Sequence, residues 1–489
     1  MNSEHKCVIR TGRNMKESNF RVTPQQIFQI IWAAAVIFVC CWAMRFSPIW
    51  TGKIRTHRNQ YEIMTESLLK GHLYMDVEVD SRLLEMENPY DPELRKQLNV
   101  DYRFDHAFYK GRYYMYFGIT PVLVLFLPFR VLSGRALSAY HATQIFTALI
   151  IAGFFCLTNY LRKRFFPHMG MLIGTVLATA FSLISVWYFA DAPALYCTAI
   201  SSAVCFMIWS FYFYFRAFFD DFSFNRRLVY LVIGACLGAS AFGCRPPAAL
   251  ANLAVLPMIL VFIYTHRENK QQFRKLFLTF LPYIITAGLL MAYNYARFED
   301  PFEFGQAYQL TNWDQHDYSM LNGLGLIRQF NGFTKMFLQS AALTNEFPYV
   351  QHAGILFEFP ILALAILLLL FSRKNMQKIR DDGLYLFIIF AMISLLLITI
   401  FESAMSPHIE ERYHFDINYL ISIIAFLSIG SLYKGQEARK HRYNTVFFIL
   451  SILSITTAVL LFFVPYDFNF TAYFPEILDR IREMAWTIR

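Results

Sequence analysis

The stretch Met115–Leu132 reads MYFGITPVLVLFLPFRVL and is apolar enough to resemble a membrane-spanning helix. Cytoplasmic loops of membrane proteins carry an excess of Lys and Arg, so the basic loops that follow test whether this stretch crosses. If it crossed, the later basic clusters would lie on the non-cytoplasmic side: Arg162–Arg164, Arg216 with Arg226–Arg227, Arg267–Lys275, Arg373–Arg380 and Lys434–Arg442. We therefore predict that Met115–Leu132 lies in the membrane interface, or re-enters the bilayer, without crossing it.

The composition indicates an all-α integral membrane protein with a single domain, residues 1–489. The 489 residues are 56% hydrophobic and 16% charged, with a mean hydropathy of +0.36, whereas soluble domains are about 25% charged. A crossing helix needs roughly 20 mostly apolar residues. About eleven windows meet this requirement, namely Ile27–Met44, Thr143–Leu161, Met169–Phe189, Ala194–Phe215, Leu228–Phe242, Ala248–Tyr264, Phe277–Tyr295, Ile355–Phe371, Leu384–Phe401, Ile417–Leu432 and Val446–Val464.

The same charge bias predicts the orientation of the chain. Residues 1–24 form a basic cytoplasmic tail, residues 47–138 a first outer loop, and residues 297–354 a second large outer loop. The N-terminus then lies inside and the C-terminus outside. The net charge of +9 is spread over cytoplasmic turns, which argues against a nucleic-acid partner. The eight cysteines lack metal-ligand spacing and do not suggest a disulfide framework.

The first outer loop opens with a helical pattern over Asn59–Met75. Glu62, Glu66 and Lys70 mark a polar face and Tyr61, Met64 and Leu68 an apolar one. Such a helix is expected to lie in the plane of the interface, with Gly71 as its stop.

Asp105 is the first candidate for a catalytic group. Most acidic residues of this loop, Asp76 among them, are expected to be solvated, but Asp105 precedes an aromatic and basic run, Phe108–Tyr114, at the membrane face. A carboxylate in that place suits a general base acting on an acceptor hydroxyl. Lys110 and Arg112, with Tyr113 between the base and the apolar stretch, suit a lipid-linked phosphate. The tyrosines are also expected to form an aromatic belt.

Further candidates stand at the outer ends of spans. Asp191 directly follows a span, and it either functions or simply sits in water. Arg245 is a cation on the side where the charge bias disfavours cations, which favours an anionic ligand. Arg412, beside Glu411, either binds a phosphate or pairs with Glu411 or Asp416. Glu358 is a charge within a span and is expected to serve helix packing.

These residues, in this order, resemble the polytopic C-type (GT-C) glycosyltransferases, which include protein O-mannosyltransferases and the aminoarabinose transferases of lipid A. The matching features are a long acidic first outer loop with a surface helix (Glu62–Glu66), a non-spanning apolar helix, Asp191 after the third span and Arg412 before a late span. Arg297 lies in a segment, Asn294–Gly305, that looks like bacterial members. The resemblance implies a catalytic carboxylate in the first outer loop. Relatives usually carry an acidic residue just after the first span, where this chain has Thr56–Arg58. Either Asp105, or else Asp76, takes that role, or the chain is not a standard transferase; His57 is a further candidate for the base.

The resemblance implies a polyprenyl-phosphate sugar donor, and it leaves a divalent cation as an open question. We therefore expect a glycosyltransferase in a bacterial cytoplasmic membrane, acting on its non-cytoplasmic face on an acceptor that the sequence does not identify. Asp105, Asp191 and Asp76 are the catalytic candidates. The substrate-binding candidates are Lys110, Arg112, Tyr113, Arg245, Arg297, Glu411 and Arg412. A transporter or flippase of lipid-linked sugars is the alternative, followed by a non-enzymatic assembly protein.

Overall fold

The computed structural model describes residues 23–45, 59–191, 193, 195–317, 323–406, 409–434, 440–465, 471 and 475–487. Two expectations fall outside these residues: the structure of the basic tail up to residue 22, and the surroundings of Thr56–Arg58.

Helices dominate the described residues, which confirms the all-α class. They are α1 (Pro24–Met44), α2 (Gln60–Leu69), α3 (Ser81–Glu85), α4 (Pro92–Gln97), α5 (Leu127–Ser133), α6 (Ala139–Phe165), α7 (Met171–Asp191), α8 (Leu195–Phe219), α9 (Phe224–Phe242), α10 (Pro246–Ala249), α11 (Leu256–Thr265), α12 (Lys270–Leu276), α13 (Leu281–Phe298), α14 (Leu326–Phe333), α15 (Ile355–Glu358), α16 (Pro360–Phe371), α17 (Arg373–Asp381), α18 (Tyr385–Met405), α19 (Phe415–Leu432), α20 (Lys440–Leu461) and α21 (Pro475–Thr487). Two short strands, β1 (Ala107–Tyr109) and β2 (Arg112–Tyr114), form an antiparallel hairpin that the sequence did not predict.

Among the described residues, nine helical segments are long and apolar enough to cross a membrane. A tenth results if α16 and α17, bent by 85° against each other, count as one span. These segments agree with the predicted polytopic all-α architecture of about eleven spans. The prediction also counted α9, whose first turn carries Arg226 and Arg227, and the 12-residue α16.

The apolar stretch Met115–Leu132 does not contain a helix long enough to cross the membrane. Its helical part is Val122–Ser133, a π-helical turn followed by α5. Twelve residues rise about 18 Å, well short of the roughly 30 Å of hydrocarbon. The helix packs on α2 instead: the Tyr61 and Phe126 rings stack with centroids 5.2 Å apart, and Arg130 Nε lies 2.5 Å from Glu66 Oε1.

The two ends of the helical bundle differ in chemistry. One end, here called the loop face, carries residues 59–138 and the loop that follows α13. At the opposite end the basic clusters meet acidic partners: Arg216 Nε lies 2.6 Å from Asp220 Oδ2, and Lys434 pairs with Asp382. This is the separation of charge from which the sequence predicts the orientation.

Helix α19 lies at the centre of the bundle and is buried along almost its whole length. Its N-terminus reaches the loop face, where Phe415 packs on Phe189 near the end of α7 with ring centroids 5.1 Å apart. The segment just before α19, residues 411–414, is a 3₁₀ turn. The fold therefore holds the residues before α19 in the middle of the loop face.

Candidate functional site

Asp105 is fixed by the loop that follows α13. Its main-chain N–H donates to the Leu310 carbonyl at 2.9 Å, and its backbone has φ +59°, a left-handed conformation that Asp tolerates better than most residues. The same loop pairs with β1, since the Phe108 N–H donates to the Tyr308 carbonyl at 2.8 Å. The first and second outer loops thus form one unit around Asp105.

The Asp105 carboxylate is held by two side-chain donors and is only 9% exposed. Gln309 Nε2 donates to Oδ1 at 3.1 Å, and the Tyr196 hydroxyl donates to Oδ2. Gln60 Nε2, on α2, donates to the main-chain carbonyl of Asp105 at 2.8 Å. A carboxylate oriented in this way keeps acceptor capacity for one further hydroxyl.

Arg412 reaches the same tyrosine. Its guanidinium carbon lies 4.4 Å from the centroid of the Tyr196 ring and 5.2 Å from that of Tyr413, and it forms an ion pair with Glu410. The sequence left open whether Arg412 pairs with Glu411 or with Asp416. In the structure, its ion-pair partner is Glu410. Glu411 is half-buried in the 3₁₀ turn. Tyr196 thus contacts both a catalytic candidate and a phosphate-binding candidate.

Arg245 joins this group through the other side of the turn before α19. Its Nη2 lies 2.8 Å from Asp416 Oδ2 and 3.1 Å from Glu402 Oε1, and its guanidinium carbon is 5.5 Å from the Tyr413 ring centroid. Asp416 is fully buried and Glu402 nearly so. We call Asp105, Tyr196, Arg412, Tyr413 and Arg245, with the carboxylates Glu402 and Asp416, the loop-face cluster.

Tyr116 lies beside this cluster. Burial is the main reason that its pKa is raised, and its electrostatic neighbours include Tyr413, Arg245 and Asp105. Its main-chain N–H donates to Gln60 Oε1 at 3.2 Å, so α2, Asp105 and the start of the non-spanning stretch are tied together by one amide side chain.

Two predicted cations belong to the hairpin rather than to the cluster. Lys110, at the hairpin tip, lies 2.6 Å from Glu299, and Arg112 stacks 4.3 Å from the Tyr74 ring centroid. The whole of β1 separates the hairpin tip from Asp105. Tyr113 is buried against Phe108, and burial raises its pKa to about 12.

The remaining candidates have separate surroundings. Arg297 donates to the Met115 carbonyl at 2.8 Å and stacks on Tyr293, so it anchors α13 to the start of the non-spanning stretch. Asp76 forms an exposed ion pair with Lys70 at 2.6 Å, which lowers its pKa. Asp191, at the end of α7, is buried at the loop face.

Several cluster members were not identified from the sequence. Tyr196 reads as one more interfacial aromatic at the start of a span. Glu402 is a charge in the last turn of a span, the type of residue that marks functional sites in membrane proteins, but Glu358 was considered instead. Glu358 accepts from the Ala353 main-chain N–H at 2.8 Å, a local structural contact.

The described residues contain no group of three or more His, Cys, Asp or Glu side chains that could hold a metal ion. Glu402 and Asp416 are a close carboxylate pair, and the Arg245 guanidinium lies against both. In this arrangement the positive charge between the carboxylates comes from the protein itself.

No protein-family model matches the chain, and no curated protein matches its sequence. Two solved structures are similar over 89% of the chain. One is ArnT from Cupriavidus metallidurans bound to undecaprenyl phosphate, with 10% identity, 76% of that chain covered and a TM-score of 0.43. The other is the archaeal oligosaccharyltransferase AglB from Archaeoglobus fulgidus in complex with an inhibitory peptide and a dolichol-phosphate, with 11% identity and a TM-score of 0.41. The chain spans 56% of the length of the second structure.

Proposed function

We propose that this integral membrane protein is a glycosyltransferase that moves a sugar from a polyprenyl-phosphate carrier to an acceptor hydroxyl on the loop face, the non-cytoplasmic face. The observation that carries the proposal is the contact of one residue, Tyr196, with both Asp105 and Arg412. Transfer of a sugar from a lipid phosphate requires a base for the acceptor and a cation for the phosphate. Asp105 and Arg412 would supply these two groups, one on each side of Tyr196.

Asp105 is the base of the proposed reaction. The acceptor hydroxyl donates its hydrogen bond to the carboxylate, and the proton passes to Asp105 as the acceptor oxygen forms its bond to the anomeric carbon. Tyr196 and Gln309 set the direction of the carboxylate oxygens, and this orientation is part of the catalytic effect.

Arg412 stabilises the leaving group. The bond between the anomeric carbon and the phosphate oxygen breaks, and its electron pair stays on the phosphate, whose charge a guanidinium offsets through paired N–H donors. The Tyr196 and Tyr413 rings beside Arg412 hold the planar cation in place.

Arg245 acts as a positioning residue in this proposal. Two carboxylates already neutralise it, so its charge is directed to Glu402 and Asp416. It supports Tyr413, which in turn lies against Arg412.

The position of these charges favours an enzyme over a transporter. Glu402 lies in the last turn of α18 and Asp416 in the first turn of α19, and Arg245 immediately precedes α10. All three lie at the loop-face ends of helices, whereas transporters place polar sites near the bilayer midplane on interrupted helices.

Replacing Asp105 tests the proposal. Asp105→Asn in proteoliposomes should slow the release of polyprenyl phosphate from polyprenyl-phosphate sugars by about 10²–10⁴-fold, the usual effect of losing a general base. Asp76→Asn, in the exposed pair with Lys70, is the matched control and should stay within about twofold of wild type. Equal rates for wild type and Asp105→Asn, or a large loss in Asp76→Asn, would contradict the assignment.

A further inference from the structure

Helix α14 exposes most of its apolar side chains, whereas Met336 and Phe337 in the turn that continues it, Thr334–Leu338, are buried. Leu326 is 85% exposed, Ile327 79% and Phe330 67%. A helix on the surface of a water-soluble protein shows the opposite arrangement, with apolar residues turned inward. The exposed apolar side of α14 therefore indicates that this helix lies in an apolar environment outside the protein.

Polar contacts with the end of α18 fix this orientation. Arg328 Nε donates to the Ser403 carbonyl at 2.7 Å, and Gln329 Nε2 donates to the Ile400 carbonyl at 3.3 Å. The Ser403 carbonyl is among the last four of α18, which lack intrahelical partners, so the Arg328 donor satisfies a group that would otherwise remain open. Gly332 allows the close approach, because a Cβ there would lie 2.0 Å from Ser403 Oγ.

The apolar surface of α14 continues the outward surface of α18. Ile393, Leu396 and Leu397 of α18 are exposed and lie on the helix face that leads to Ile400. Since α18 is a membrane-spanning candidate, we expect that face to meet lipid. Helix α14 contacts the loop-face end of α18. The continuity identifies lipid, rather than a protein partner, as what covers Leu326, Ile327 and Phe330.

A cavity of about 710 Å³ opens beside the polar side of α14. Arg328, Asn331 and Lys335, spaced so that they share one side of the helix, line it together with Ser403 and Ser406 at the end of α18. Two cations with amide and hydroxyl groups match the oxygens of a phosphate ester. The volume lies within the range of small-molecule sites, about 300–1,000 Å³.

We propose that this cavity and α14 bind an anionic phospholipid of the leaflet at the loop face. Its phosphate lies between Arg328 and Lys335, and its acyl chains run along Leu326, Ile327 and Phe330. The site goes beyond the proposed transfer reaction and does not depend on it, because none of these residues belongs to the loop-face cluster.

Photo-crosslinking in lipid nanodiscs tests the apolar part of the site. The full chain with p-benzoylphenylalanine at Ile327 should form adducts with phosphatidylglycerol that mass spectrometry detects. The same residue at Leu98, an exposed apolar position after α4, is the control and should form few. Absence of lipid adducts at Ile327, while the probe at Leu396 forms them, would overturn the proposal.

Lipid selectivity tests the phosphate part. Lys335→Gln and Arg328→Gln should each lower the preference for phosphatidylglycerol over phosphatidylcholine by about tenfold in native mass spectrometry, the effect of losing a charge-assisted hydrogen bond. Lys96→Gln, an exposed cation on α4, should leave the preference unchanged, and so should Asp105→Asn. An unchanged preference in both cavity variants would contradict the assignment.

Competition separates the possible sources of the phosphate. Inorganic phosphate at millimolar concentration should not displace phosphatidylglycerol, because it lacks chains to lie along α14. Displacement by inorganic phosphate, or by an equimolar amount of undecaprenyl phosphate, would overturn the assignment to a phospholipid. Loss of transfer activity in Asp105→Asn with lipid binding intact would show that the two proposals stand or fall separately.

Discussion

Asp105 and Arg412 lie far apart in the sequence, but both contact the side chain of Tyr196 in the structure. The Tyr196 hydroxyl donates to Asp105 Oδ2, and its ring centroid lies 4.4 Å from the Arg412 guanidinium carbon. The two groups are thereby held at a fixed separation. This arrangement makes Tyr196 the residue that distinguishes a cooperating pair from two independent surface groups.

Tyr196→Phe should lower the transfer rate by about tenfold while carrier affinity stays near wild type. The variant loses one hydrogen bond to the carboxylate but keeps the ring beside Arg412. Loss of a donor also makes the ionised form of Asp105 less favourable, so the rise of the rate with pH should move to higher pH. Tyr196→Leu removes both contacts and should weaken carrier binding as well. A pH profile and a carrier titration on both variants check this, and an unshifted profile in Tyr196→Phe would count against a bond to the reacting carboxylate.

Arg412→Lys should weaken binding of undecaprenyl phosphate although the charge is kept. Ammonium lacks the planar fork that engages two phosphate oxygens and that stacks between Tyr196 and Tyr413. Arg412→Ala should weaken binding further. If Arg412 serves only its ion pair with Glu410, Arg412→Ala and Glu410→Gln should lower the melting temperature alike and leave carrier binding intact. Both quantities measured on the same three variants separate the two roles.

Parts of this architecture follow from sequence because membranes restrict what a chain can do. The Lys and Arg bias was enough to predict that Met115–Leu132 does not cross, and the helix found there is too short to do so. Asp105 and Arg412 were candidates from the sequence because of where they stand at the membrane face, and their roles stay predictions. Gln309 and Leu310 could not be identified from the sequence, because their contacts with Asp105 depend on how two distant loops fold together. The same holds for Glu402, whose position beside Arg245 is set by the packing of α18 against α19.

Glu62 should make the stability of the protein depend on pH. Burial raises the pKa of its carboxyl from 4.5 to about 7, although the Ala139 N–H, donating to Oε1 at 2.6 Å, works in the other direction. The folded state therefore holds this proton up to higher pH than the unfolded state does. The contribution of Glu62 to the free energy of unfolding should be greatest below about pH 4.5, fall as the pH rises to about 7, and then level off, with a total change on the order of 3 kcal/mol.

Melting temperatures of wild type and Glu62→Gln between pH 4.5 and 8 check this effect. The fall with pH should be smaller in Glu62→Gln, and that variant should be the more stable of the two at pH 8. Glu66 lies on α2, as Glu62 does, and forms an ion pair with Arg130 of α5. Glu66→Gln is therefore the control and should keep the wild-type dependence on pH. Identical slopes in wild type and Glu62→Gln would rule out this carboxyl as the source.

Cysteine labelling tests the orientation of the chain. In a background without the native cysteines, single cysteines at Asn88 and Ser138 should react with an impermeant reagent from the non-cytoplasmic side, and one at Pro167 should not. Ser138 caps α6 at the loop face, and Pro167 follows α6 at the basic end. Protection at Ser138 together with labelling at Pro167 would mean that the chain crosses once more before α6.

The final prediction concerns the cation between two carboxylates. Arg245→Gln should destabilise the protein strongly, by about 3–5 kcal/mol, because it leaves Glu402 and Asp416 buried beside each other without their partner. Adding Glu402→Gln and Asp416→Asn to that variant should restore much of the stability, since these groups are in contact and their effects are not additive. Melting temperatures of the single, double and triple variants measure the coupling.

The triple variant also decides how Arg245 serves the site. If Arg245 positions Tyr413, carrier affinity should largely survive in the triple variant while the transfer rate falls. If it binds the carrier phosphate itself, affinity for undecaprenyl phosphate should fall with the guanidinium, however stable the triple variant is.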